Sequence, residues 1–138
     1  MYKRQASGVV SLASNGAART IANLESVQTF TAGQIGEVTT LTDAATVAVD
    51  LSLSNNFTLT LGGNRQLGNP TNATAGQSGS IFVIQDATGN RTLSYAANWD
   101  FIGGSPPVLS TAANAIDRID YIVQGSSDIQ AVFTANYS

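Results

Sequence analysis

The chain has 138 residues, enough for one domain with a buried core and too few for two ordinary ones. Charged residues are 11% of it, against roughly 25% in an average soluble protein, and Ala, Thr, Ser, Asn and Gly take their place. A net charge of −3 from nine carboxylates and six basic residues gives neither a nucleic-acid footprint nor an acidic tail, and the absence of Cys and His removes thiol chemistry, disulfides, the usual zinc sites and the commonest general base.

The first segment, residues 1–36, is poor in aromatics and has no firm period. Its basic start, Lys3-Arg4, is not followed by the continuous apolar core of a signal peptide. Ile21, Leu24 and Val27 are spaced three apart, which permits a short helix in "AARTIANLESV". The surrounding Ser, Asn and Thr favour an extended arm that must dock to be ordered. No run in the chain approaches the ~20 apolar residues of a membrane helix, so the protein is expected to be soluble when made.

From residue 37 onward the pattern changes to period two, the mark of strands with one buried face. In "TVAVDLSL" Val47, Val49, Leu51 and Leu53 alternate with small or polar residues, and "FTLTL" does the same with Phe57, Leu59 and Leu61. "SNN" between them predicts a hairpin or a corner. "IFVI", Ile81 to Ile84, is apolar at every position, as a central strand is. "AIDRIDYIVQG" and "SDIQAVFT", joined by "GSSD", predict a second hairpin. Six or more short strands separated by Gly- and Asn-rich turns argue for an all-β fold: an antiparallel β-sandwich or jelly roll over 37–138, with an extended N-terminal arm over 1–36. A faint similarity between "LTDAATVAVDL" and "LSTAANAIDRI" is explained by composition as well as by duplication.

The most motif-like piece is "QDATGNR", Gln85 to Arg91. Asp86 caps backbone N–H groups and Gly89 and Asn90 tolerate φ > 0, so a hairpin loop accounts for all of it; a phosphate cradle would need a helix where a strand follows. Asp117 and Asp120 are the closest carboxylate pair, but on a strand they face opposite sides, which separates them from the paired acids of a glycosidase. The remaining Asp are too scattered for calcium. Four glycosylation sequons, at Asn56, Asn72, Asn90 and Asn136, reflect a chain with eleven Asn rather than a secreted glycoprotein. Trp99, the sole Trp, lies beside Tyr95, Asp100 and Phe101. It either closes the end of the core or stacks on a sugar. No catalytic, cofactor-binding or metal-ligating residue emerges, and no enzyme activity is expected.

Several pieces together carry a resemblance. The "NR" and "NPTN" at Asn64-Arg65 and Asn69 to Asn72, "AGQSG" at Ala75 to Gly79, "QDATGNRTL" at Gln85 to Leu93, Trp99 with Phe101 and Gly103-Gly104, and "LSTAANAID" at Leu109 to Asp117 resemble a β-rich domain that recurs in bacteriophage and prophage virion proteins. The resemblance implies a non-enzymatic structural or adhesive part of a phage particle, with no cofactor, no nucleic acid and no membrane among its partners. The homotrimer is a common state for such parts. Because the domain almost fills the chain, the first expectation is a capsid decoration or cement protein bound to the major capsid protein, its arm completing sheet edges on neighbouring subunits. The alternative is a tail-fibre or receptor-binding module bound to a tail component and recognising host surface carbohydrate. Its candidate surface residues are Asp86, Asn90, Arg91, Tyr95 and Trp99. Either reading places the protein in the virion, on the capsid surface before the tail, after synthesis in the host bacterial cytoplasm.

Overall fold

The computed structural model describes residues 31–137 and, for the backbone alone, residues 3–4, 10–14 and 17–20. The chain divides into two compact units, Met1–Ile35 and Gly36–Ser138. In the first, β1 (Lys3–Arg4), β2 (Val10–Ser14) and β3 (Ala17–Thr20) pair in order as an antiparallel sheet. The start of the segment whose spacing permitted a short helix is strand: Arg19 is paired with Leu12 and Thr20 with Ser11. Ile21, Leu24 and Val27, which carried the helical spacing, lie outside the described residues.

The second unit begins with β4 (Val38–Thr40), β5 (Thr46–Val47), β6 (Asn56–Leu61) and β7 (Arg65–Leu67). It continues with β8 (Ser78–Gln85), β9 (Leu93–Tyr95), β10 (Trp99–Phe101), a 3₁₀ turn at Ile102–Gly104, β11 (Ile116–Gly125) and β12 (Asp128–Thr134). These form a six-stranded sheet, β10-β12-β11-β8-β6-β4, and a three-stranded sheet, β5-β7-β9. Buried side chains of both sheets, among them Phe57, Leu59, Ile81, Val47 and Leu67, belong to one hydrophobic cluster. This is the expected all-β sandwich.

The strand pairing differs from the expected antiparallel one. From β4 to β9 each successive strand lies in the opposite sheet, so the chain winds between the layers three times and each winding stacks in parallel on the one before. The "SNN" segment is thus a corner into β6. The two segments suspected of duplication are not equivalents either, since Thr46–Val47 feeds the small sheet and Ile116–Gly125 the large one. Within this unit only β8–β11 and the β11–β12 hairpin are antiparallel. The hairpin, with its turn at Ser126-Ser127, was legible from alternation. It inserts between β8 and β10 and closes the last winding.

Pairing across the large sheet aligns its buried residues in columns. Phe57 pairs with Ile81, Ile81 with Ile119 and Ile119 with Phe133; Leu59 pairs with Val83 and Val83 with Asp117. The members Phe57, Leu59, Ile81 and Ile119 are fully buried. Each such side chain contributes about 1.5–3 kcal/mol. Gly79 in β8 marks a close approach of two windings, because a Cβ there would overlap the Asn55 carbonyl oxygen.

Candidate functional site

The "QDATGNR" segment is not a hairpin loop. It leaves β8 in the large sheet and enters β9 in the small one. Both edges of β8 are already occupied, by β6 and β11, so the strand after the loop has no place beside it. The loop's internal geometry is as expected: Asp86 Oδ1 accepts from Thr88 N–H (3.0 Å) and Gly89 N–H (2.9 Å), with φ of 71° at Gly89 and 60° at Asn90.

What holds the arch is a residue that alternation places inside. Gln85 is 2% exposed. Its Nε2 donates to the carbonyls of Arg91 and Ser110, both at 2.9 Å, and its Oε1 accepts from Arg91 N–H at 2.8 Å. Asn90 N–H donates to Thr111 O and Asn114 N–H to Asp86 O, tying the arch to the segment before β11. Asp117, also buried, accepts from Ser110 N–H and Oγ and from Asn136 N–H at 2.7–2.8 Å. Asp117 is therefore an internal fastener, not a solvated carboxylate, while Asp120 faces outward with Arg118 at 2.9 Å.

Of the five candidate surface residues, the structure brings together Asp86, Asn90 and Arg91. Arg91 Nε and the terminal nitrogen donate to Asp86 Oδ2 at 2.9 and 2.7 Å, and this pairing holds the Asp86 carboxyl below its usual range. A similar pair, Arg65 with Asp43, sits at an earlier corner with both hydrogen bonds at 2.7 Å, and lowers Asp43 in the same way. Tyr95 and Trp99 are not part of this group. Trp99 is 5% exposed, donates from Nε1 to Gly68 O at 2.8 Å and meets Tyr121 edge-on at 6.1 Å. Of its two readings, closure of the core is the one the structure bears out, and Trp99 is not an exposed surface for stacking. Tyr95 is half-buried against Phe101, ring centroids 4.6 Å apart, and its hydroxyl has no hydrogen-bond partner among the described residues. Burial, and next the Asp117 charge, raise its pKa.

A well-formed concavity lies elsewhere, on the outer face of β10, β12 and β11. It is a groove of about 510 Å³ whose outward and rim side chains include Asp100, Ile102, Asp120, Ile122, Gln130 and Val132. Its floor is aliphatic: Ile122 and Val132 are about half exposed and Ile102 is 82% exposed. Asp120 is fixed in place, accepting from Ser80 Oγ at 2.6 Å and Arg118 Nε at 2.9 Å. Alternation assigned these outward positions to solvent. The signal that marks them is a break in the alternation, since "YIV" and "AVF" are apolar on both faces.

The polar, uncharged composition acquires a structural account at the corners. Asp50 Oδ1 accepts from Ser52 N–H and Asn72 Nδ2, Asn64 Oδ1 from Thr92 N–H and Asn69 Oδ1 from Asn98 N–H, and the last three of these bonds cross between windings. Three of the four sequon asparagines, Asn72, Asn90 and Asn136, have φ of 55–60°, a backbone state that Asn tolerates better than most residues.

Residues 20–128 match the model of a family described as "Putative phage tail fibre C-terminal domain". No curated protein and no solved structure matches the chain. The match accords with a phage structural protein and favours the tail-fibre alternative over capsid decoration, the reading that the size of the domain had put first. With most of its length covered, the chain belongs to the phage tail fibre C-terminal domain family.

Proposed function

We propose that this protein is a non-enzymatic attachment domain of a phage tail fibre, which contacts the surface of the host cell. The observation that carries the reading is the family match over residues 20–128. The fold suits such a role, because windings fastened at their corners by side-chain hydrogen bonds hold a rigid outer sheet face, and rigid presentation reduces the ordering cost of binding. Self-association into a trimer and joining to a tail component belong to this proposal. A capsid location has no comparable support.

Gold-labelled antibody against the protein, imaged on intact virions, tests the location. Label is expected at the tail, and purified protein is expected to slow adsorption of phage to host cells in a dose-dependent way. Label spread over the head, with no competition for adsorption, would overturn the proposal in favour of decoration.

A further inference from the structure

We infer that the groove on the outer face of β10, β12 and β11 is a saccharide subsite, selective for neutral or ammonium-bearing sugars over acidic ones. This rests on the attachment reading and gives it a place and a ligand class. In the sheet, Asp100 lies beside Gln130 and Gln130 beside Ile122, while Val132 lies beside Asp120. Two aliphatic side chains thus form a floor between two carboxylates and an amide.

The chemistry is that of a pyranose ring, which offers an apolar C–H face and a rim of hydroxyl donors. Ile122 and Val132 match the face. Asp100 and Asp120 accept hydroxyl protons, and carboxylate acceptors form roughly twice as strong a hydrogen bond as neutral ones. Asp120 is already oriented by Ser80 and Arg118, and Gln130 by its bond to Gln124 Oε1 at 2.7 Å, so binding orders few side chains. Asp100 is exposed and has no ion-pair partner among the described residues.

Size and charge decide between ligand classes. At about 510 Å³ the groove falls inside the roughly 300–1,000 Å³ of small-ligand sites, whereas a stable protein interface needs about 800 Å² from each partner. Both charged lining residues are acidic, and the nearby Arg118 is committed to Asp120. A sugar carboxylate would meet repulsion, with no unpaired cation lining the groove among the described residues to offset it.

The test uses the full chain and amide chemical shifts, with galactose, N-acetylglucosamine, glucosamine and glucuronic acid as probes. Neutral and ammonium sugars are expected to shift amides at residues 100, 120–122 and 130–132, with glucuronic acid about tenfold weaker or worse. Asp100→Ala, which removes no internal contact, should weaken binding about tenfold while leaving the unfolding temperature unchanged. Asp120→Asn should weaken it similarly. The inference is overturned if shifts fall elsewhere, if glucuronic acid binds as well as galactose, or if Asp100→Ala binds normally. It is also overturned if no sugar binds while the protein adsorbs to cells through an outer-membrane protein; the attachment reading then survives. If sugars shift the groove amides but free protein never competes for adsorption, the groove stands and the attachment reading falls.

Discussion

The three windings between Val38 and Asn98 and the hairpin of β11 and β12 are built from similar residues but held by different means. In the hairpin, strands of ten and seven residues pair along almost their whole length through a two-residue turn, and the backbone ladder fixes the register. In the windings most strands have two or three residues and every turn crosses to the other sheet. Outside the β6–β8 ladder, side chains at corners, such as Asn64, Asn69, Asp50 and Gln85, reach a neighbouring segment and support the register. A hairpin is thus specified locally and a winding by its neighbours.

The largest effect is expected where the two regions meet. Gly79 sits in β8 opposite Tyr121 of β11, and Tyr121 Oη donates to the Asn55 carbonyl that a Cβ at position 79 would strike. Gly79→Ala must separate the windings, and a loss of about 4–5 kcal/mol is expected. Chemical denaturation checks it. A variant with native stability would show that the windings are not packed as described.

Trp99→Ala comes next, at about 3 kcal/mol or more, because it removes a buried side chain and orphans the Gly68 carbonyl. Gln85→Ala should cost about 2–3 kcal/mol, since three backbone groups of the arch and its neighbour lose their partner at once. In the hairpin the buried fastener is Asp117, at the start of β11, and the pairing of β11 with β12 itself rests on the backbone ladder. Removing the exposed Gln130 to Gln124 bond by Gln130→Ala should change stability by no more than about 0.5 kcal/mol.

This difference also explains what could be read from the sequence. The hairpin was legible because Ile119, Tyr121 and Val123, then Ile129 and Ala131, place an apolar residue at every second position on the buried face around a short turn. The core columns were legible for the same reason. The arch was not, because Asp86, Gly89 and Asn90 adopt the same local geometry whether the chain folds back or crosses over. The deciding facts, the partners of Gln85 at Ser110 and a β8 with both edges taken, are non-local. Trp99 could be placed only as one of two alternatives, since its partner Gly68 lies 31 residues away. The groove needed the order β10-β12-β11, which brings together residues from 100 to 132.

Smaller effects should follow the corner bonds. Asn64→Ala and Asn69→Ala each remove one exposed side-chain acceptor between windings and should cost about 1 kcal/mol. The paired carboxylates give a pH signature of the same region. Asp43, Asp50 and Asp86 are held below their ordinary pKa, by Arg65, by Asn72 with Ser52, and by Arg91 respectively. Their contribution is present above the unfolded pKa of about 3.9 and is lost as pH falls through the lower folded values. Salt should reduce the Asp43 and Asp86 parts, because their partners are the cations Arg65 and Arg91 in part-exposed pairs.

At the alkaline end the sign reverses, and there the smallest change is expected to reveal the most. Burial raises Tyr121 to about 12, and it raises Tyr95 as well, with Asp117 adding to the effect. Below pH 10 both phenols are neutral in either state, and stability is unaffected. Above it the unfolded chain ionises first, so stability falls from pH 10 up to the folded values. Tyr95 pays for its position with a hydroxyl that has no partner among the described residues. Tyr95→Phe keeps the ring against Phe101 and discards that hydroxyl, so stability at pH 7 should be unchanged or up to about 1 kcal/mol higher. The alkaline loss should shrink in the same variant. A clear destabilisation at pH 7 would mean that the hydroxyl does bind a partner, and that the junction of β9 with the closing strands is fastened like a corner rather than packed like a core.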